Sequence, residues 1–359
     1  MQDLVGIRQI KYIGKTNCTK KKVQKGRFTV SQYQKPALNR DFRPGKMSWK
    51  TYMRRYGTLY LLLILPIAFF VIFRYTPMSY ILLAFKKNNI LIPPWKEEWA
   101  RNNGMQWFLK AFKDSDFISI KGNLFDGTLQ ISGALKNTLV LNLLDLFIGM
   151  PMPIIMALLL NELAFPKFKR VTQTVLYLPH FLSWVIISSI TLRLFATNDG
   201  MINKLLGTSI PFVGNPGNWR ATYIFLGIWK ECGWNTIIYL AALTGISPEL
   251  YEAAEVDGAS RLRKIWHITL PGIRSTIIVL LIMNLGHILG SEFDRPYTLQ
   301  NPLVTEASKT IAIYVYEKGI NGQQYALTTA VGLFQSVICV IFLLLSNTLA
   351  KRFGERGIW

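Results

Sequence analysis

Few residues in this chain have the type and spacing that covalent chemistry needs. Cys18, Cys232 and Cys339 lie far apart and form no C-x-x-C pair, so neither a disulfide scaffold nor a zinc site is predicted. His180, His267 and His287 stand outside any metal-ligand pattern. No metal is expected. Gly14-Lys15-Thr16 has the ending of a phosphate-binding loop, but Gln9 occupies the position of its first glycine and no apolar strand precedes it. There is no Gly-x-Ser-x-Gly elbow and no dinucleotide fingerprint. The chain is predicted to be no enzyme, to hydrolyse no ATP itself and to bind no cofactor of its own.

The stretch with the clearest design is residues 245–271, GISPELYEAAEVDGASRLRKIWHITLP. Ser247 suits a helix N-cap and Pro248 the first helical position. Glu249 and Glu252 fall in the early turns, where the helix dipole favours acids. Leu250, Ala253, Ala254 and Asp257 follow at three- and four-residue steps, which puts them on adjoining faces. The alanines leave a flat surface that another backbone can approach. Gly258 is predicted to break this helix, Ser260 to cap a second, basic one, and Pro271 to open the next long apolar run. Two short helices in series make a rigid lever. An ordinary amphipathic loop on a lipid surface fits the same residues.

The elements around that loop follow from composition. The chain has 359 residues, with 50% hydrophobic and 17% charged residues and a mean hydropathy of +0.25; soluble proteins carry roughly 25% charged residues. The net charge is +21, and residues 1–55 hold 15 Lys+Arg against 2 acids. Basic charge therefore gathers in a tail and beside apolar runs rather than across a folded face, which excludes a nucleic-acid binder. Six segments approach the ~20 apolar residues that a bilayer crossing needs: 57–73, 137–160, 174–195, 221–244, 271–290 and 325–349. The apolar patch 75–85 is predicted to be a separate interfacial element. No signal peptide is expected. Lys167, Lys169 and Arg170, then Arg261, Arg263 and Lys264, then Lys351, Arg352 and Arg356 lie on one side if there are six spans. That side and both termini are predicted to be cytoplasmic. The expectation is an all-α membrane protein with a basic tail (1–55), a six-helix transmembrane domain (56–350) carrying the loop 245–271, and a short cytoplasmic C-terminus (351–359).

Glu252-Ala253-Ala254, then Gly258, then nine residues to Ile268-x-Leu270-Pro271 resembles the EAA loop of binding-protein-dependent ABC importer permeases at every defined position. Residues 177–185 (YLPHFLSWV) and 229–243 (WKECGWNTIIYLAAL) resemble the sugar-permease branch, and within it permeases for oligosaccharides or polysaccharide fragments. The likeness runs from about Tyr52 to the C-terminus, and the basic tail is longer than the family leads one to expect. The resemblance implies a type I importer permease in the bacterial cell membrane. It also implies a second permease subunit, two cytoplasmic ATPase subunits that use ATP and Mg, and an external substrate-binding protein. On this sequence, Glu252, Ala253, Ala254, Asp257 and Gly258 would form the coupling helix and its bend. Ile268, Leu270 and Pro271 would lock it to the fifth span.

Sugar rings have apolar C–H faces and hydroxyl rims, so their sites combine aromatic rings with amide and acid groups. Trp229, Glu231, Trp234, Asn235, Asn284 and His287 supply such groups in the fourth and fifth spans, and polar groups inside a bilayer mark a pathway. Asp145 is a further intramembrane acid, for pairing with substrate or with the partner permease, and Glu292 and Asp294 could line the outer mouth. A permease for another solute class, a secondary transporter and a membrane scaffold are the competing readings. A secondary transporter leaves the Glu-Ala-Ala-to-Pro spacing unexplained.

Overall fold

The computed structural model describes residues 49–352 apart from Ile90, 122–129 and Ser291, together with Gly354, Gly357 and Ile358. The expectations for the tail therefore fall almost wholly outside the described residues. The chain divides into Met1–Ala68 and Phe69–Trp359. The described part of the first unit is helical, with Leu61, Leu62 and Leu65 exposed and Tyr52 and Tyr60 sharing a hydrogen bond of 2.9 Å.

Among the described residues four helices are long and apolar enough to cross a membrane: Tyr52–Phe85, Ala134–Asn161, Arg261–Leu285 and Tyr325–Arg352. A fifth candidate is the pair Pro166–Phe181 and Trp184–Leu194, bent by 95°. The fourth expected segment, 221–244, falls within the helix Pro216–Leu243, about 42 Å long at 1.5 Å per residue, which carries Lys230, Glu231 and Asn235 amid its apolar residues. Two expectations need correction. Residues 75–85 are no separate element, because the first helical run continues through them. The fold is not all-α: among the described residues Ser119–Lys121 and Gln130–Ser132 form a two-stranded antiparallel sheet, in which Ile120 faces Ile131. Pro271 stands in the first turn of Leu270–Leu285, as expected, and that helix runs on from Arg261–Lys264 through a π-helical turn.

Prolines explain the irregular turns. Pro77, Pro151 and Pro271 each stand two residues beyond a π-helical turn: Val71–Tyr75, Asp145–Gly149 and Ile265–Thr269. A proline offers no N–H to the carbonyl four residues back, and its ring crowds that carbonyl. The backbone widens instead, and the preceding N–H reaches back five residues: Thr76 to Val71, Met150 to Asp145 and Leu270 to Ile265. The 95° bend has another origin. Leu182 and Ser183 are extended, and the Ser183 hydroxyl accepts from the Ile186 N–H, so the helix starts afresh at Trp184.

The helix Pro216–Leu243 is the centre of the second unit. Asn215 caps it through Gly217 and Asn218, and Pro216 occupies its first position. Its first half packs Trp219, Tyr223, Ile224 and Leu226 against Leu141, Trp184, Ile187 and Leu299; the buried Trp219 indole donates to the Leu299 carbonyl at 3.0 Å. Its other half packs Tyr239 and Leu243 against Ala157 and Ile273. Asn203, also buried, ties the loop before it through Ala196, Thr197 and Ile210 carbonyls. At the same end, Tyr314 donates to Asp114 at 2.9 Å, while Lys318 meets Asp114 and Asp116, and Lys309 meets Asp116 and Glu317.

Candidate functional site

Two places combine sequence-predicted residues with unusual geometry: a cavity within the helices and a lever at one end of them. The cavity has a volume of about 420 Å³ and lies between Ala134–Asn161, Pro216–Leu243, Arg261–Leu285 and the short helix Asp294–Leu299. Glu231, Asn235, Asn284 and His287 all line it, as do Asn142, Asp145, Glu292 and Arg295. Trp229 and Trp234 do not line it. Both rings are partly exposed, and Trp234 stacks on His180 with centroids 4.4 Å apart and planes 3° from parallel.

Each polar wall group has a traceable setting. Glu231 accepts from Lys230 and from His180 Nδ1, both at 2.8 Å. Lys230, buried, also donates to the His180 carbonyl at 2.8 Å, so this trio pins the 95° bend to the central helix. Asn142 donates to the carbonyls of Ile288 and Gly290 and holds the chain where the helix ending at Leu285 gives way to a loop. Asn284 and His287 each donate to a carbonyl four residues back on their own helix, Leu280 and Met283. The Asn284 carbonyl and His287 Nε2 are left as acceptors. Glu292 accepts the Trp184 indole N–H, and burial pushes its carboxyl above the usual range. Asp145 pairs within the chain with Arg295. Asp294 is exposed and lies outside the cavity lining.

Sequence reasoning missed Arg295, Lys230 and Gly227. A carboxylate in the middle of an apolar run demands a counter-charge, but nothing in the sequence says which cation supplies it. That demand was the one available signal. Gly227 had none, because only the folded structure brings Arg295 against it.

The lever is the exposed helix Pro248–Val256. Pro248 sits in its first turn as expected, whereas the Ser247 side chain makes no capping hydrogen bond. Its end is a two-bond αL stop: Ala259 N–H to Ala254 O at 2.9 Å, and Gly258 N–H to Glu255 O at 3.0 Å. Gly258 takes φ +71°. Ser260 then caps Arg261–Lys264. Three contacts join the lever to the long helix beyond: Lys264 to Glu255 at 2.8 Å, Tyr251 to the buried Thr269 at 3.0 Å, and Ile246 seated over Gly272. Glu252, Ala253, Asp257 and Gly258 face solvent, Ala254 is half-buried, and Ile268, Leu270 and Pro271 lie on the long helix. That helix spans about 37 Å, so cavity and lever are joined by one rigid rod.

Residues 149–355 match the sequence profile of the family described as binding-protein-dependent transport system inner membrane component. The chain is 42% identical over 317 residues to Protein LplB of Bacillus subtilis (strain 168), covering 87% of this chain and 94% of the relative. It is 42% identical over 305 residues to the polygalacturonan/rhamnogalacturonan transport system permease protein YteP of the same organism, covering 84% and 90%. A chain in the crystal structure of a bacterial alginate ABC transporter, in complex with an alginate pentasaccharide-bound periplasmic protein, superposes with a TM-score of 0.73 at 35% identity, covering 87% of this chain and 99% of that one.

Proposed function

Because the chain belongs to the family of binding-protein-dependent transport system inner membrane components, we propose that it is the multi-pass permease subunit of an ATP-driven importer for oligosaccharides or polysaccharide fragments. The observation that carries this reading is the likeness along nearly its whole length to permeases of that kind, one named for polygalacturonan and rhamnogalacturonan transport and one crystallised as an alginate importer. The polar cavity supports it from the chain's own residues.

In this reading Pro216–Leu243 completes six spans, and both termini lie in the cytoplasm together with the lever. The clusters Lys167–Arg170, Arg261–Lys264 and Lys351–Arg356 support that orientation. Two cytoplasmic ATPase subunits, which bind ATP and Mg, press on Glu252, Ala253 and Ala254. Gly258 fixes the angle between the lever and the rod, and the contacts at Thr269 and Gly272 pass the motion to Ile268, Leu270 and Pro271. The cavity walls, with Glu231, Asn235, Asn284 and His287, then open alternately to the two sides. A second permease supplies the opposite wall, and an external binding protein delivers the sugar.

The test is purification of the tagged chain from its own membrane after mild solubilisation, with uptake measured in a strain lacking the gene. Recovery with a second permease and two ATPase copies, and loss of oligosaccharide uptake in the deletion strain, is expected. A chain that transports alone in liposomes without ATP overturns the proposal.

A further inference from the structure

Asp145 stands inside the apolar run Ala134–Asn161, where an ionised carboxylate is costly without a counter-charge. Arg295 supplies it. Nη1 and Nη2 reach the two carboxylate oxygens at 2.9 and 3.4 Å, and Nη2 also donates to the Tyr223 carbonyl. The guanidinium fits only because residue 227 is glycine: a Cβ there would lie 2.2 Å from Nη2. Arg295 is 5% exposed, lines the cavity, and its Nε–H has no hydrogen-bond partner among the described residues. The Asp145 side chain, by contrast, keeps 34% of its surface open, and it too lines the cavity. It sits at the first residue of the π-helical turn Asp145–Gly149, a distortion frequent at functional sites. A pair serving only to join helices would be closed over. Here the cation is buried and the anion keeps about a third of its surface on the cavity side.

We propose that Asp145, held in place by Arg295, is a substrate-binding carboxylate that accepts hydroxyl donors from an uncharged sugar unit seated in the cavity; this rests on the oligosaccharide reading above. The rest of the wall points the same way. Glu231 and Glu292 are also carboxylates on the cavity. The cations are already engaged, Arg295 by Asp145 and Lys230 by Glu231. Such a wall offers acceptors to hydroxyl groups and, among the described residues, no unengaged Lys or Arg to a carboxylate on the sugar. Acidic units of a mixed polysaccharide fragment would therefore lie outside this cavity.

Uptake by cells carrying the complete transporter tests the proposal, with arabinotriose, xylotriose and mannotriose as neutral probes and trigalacturonate as the acidic one. Wild type should favour a neutral trisaccharide. Asp145→Asn should raise its uptake KM about tenfold or more, the effect of losing a charge-assisted hydrogen bond, and narrow the preference over trigalacturonate. Arg295→Lys keeps the charge but loses the two-pronged grip, and should raise the same KM less; it carries the test if the Asn variant does not reach the membrane. An unchanged KM in whichever variant inserts normally overturns the proposal. So does an equal fall in maximal uptake of both sugar classes at unchanged KM, which marks a structural pair. Wild-type preference for trigalacturonate overturns the uncharged unit while leaving the oligosaccharide reading intact. Uptake of no probe by wild type would remove that reading and this proposal with it.

Discussion

Gly227 and Arg295 lie 68 positions apart in sequence, yet neither side chain identity makes sense without the other. A methyl group at 227 would collide with both terminal guanidinium nitrogens, and the guanidinium, packed 3.6 Å from the centroid of the Tyr223 ring, has little room to retreat. Gly227→Ala is expected to destabilise the chain by about 1–3 kcal/mol, the usual cost of overpacking, and to lower the midpoint of thermal unfolding in detergent; an unchanged midpoint would mean that the neighbouring helices yield. Asp145 could be picked out from sequence as a charge in an apolar run. Its partner could not, because Arg295 sits beyond the fifth span, where a basic residue reads as an ordinary loop charge. The cavity residues found from sequence within the apolar runs, Asp145, Glu231, Asn235, Asn284 and His287, share one property: each is an acid, amide or imidazole on a largely apolar segment. The two tryptophans lacked that contrast, since an aromatic ring is equally at home facing lipid or a neighbour.

The lever and the ion-pair network around Asp116 show how short elements are fixed by few groups. Gly258 is strained for any residue with a Cβ, since its φ is +71°, and its surroundings are open. Gly258→Ala should therefore cost about 1 kcal/mol through the backbone alone, leave the membrane level normal, and weaken stimulation of ATPase activity by substrate-loaded binding protein. Full stimulation would show that the bend tolerates relaxation. The network around Asp116 carries a pH dependence with two limbs. Burial pushes the Asp116 carboxyl up, but Lys318 and Lys309 beside it outweigh burial and hold it below the usual aspartate range. Its contribution is present above that range and is lost as pH falls through the lowered value. Burial pulls Lys309 and Lys318 down, but Glu317, Asp114 and Asp116 hold both above the usual lysine range, so their contribution is lost only as pH rises past it. Hydrogen-exchange protection factors, corrected for the intrinsic rate at each pH, should be highest for residues 114–118 and 309–318 between roughly pH 4 and pH 10, and Asp116→Asn should flatten the acid limb. A flat profile in wild type would assign these segments' order to packing instead. The lever was legible because cap, proline and glycine signals all act within a few residues. The network was not, since its members come from two segments, 114–116 and 309–318, joined only by the fold.

At the scale of the whole molecule, the Lys/Arg asymmetry and the six apolar runs make a topology that reporter fusions can check. Cytoplasmic reporters should be active after residues 165, 257 and 352, and external ones after 205 and 310; activity at 257 and 310 on the same side would break the six-span arrangement. The long apolar runs were legible because a bilayer imposes one length on every crossing. Their internal breaks were less so, and the reason lies in the turns ahead of Pro77, Pro151 and Pro271. Each of those turns takes in one residue more than a straight helix would, and one residue is about 100° of rotation. Any stripe of polar or apolar positions therefore slips sideways as it passes such a turn, so Asp145 and the residues after Pro151 belong to different angular frames. A helical wheel drawn through the whole of Ala134–Asn161 superimposes two faces that never coincide, and the periodicity it averages away is the one that aims Asp145 inward.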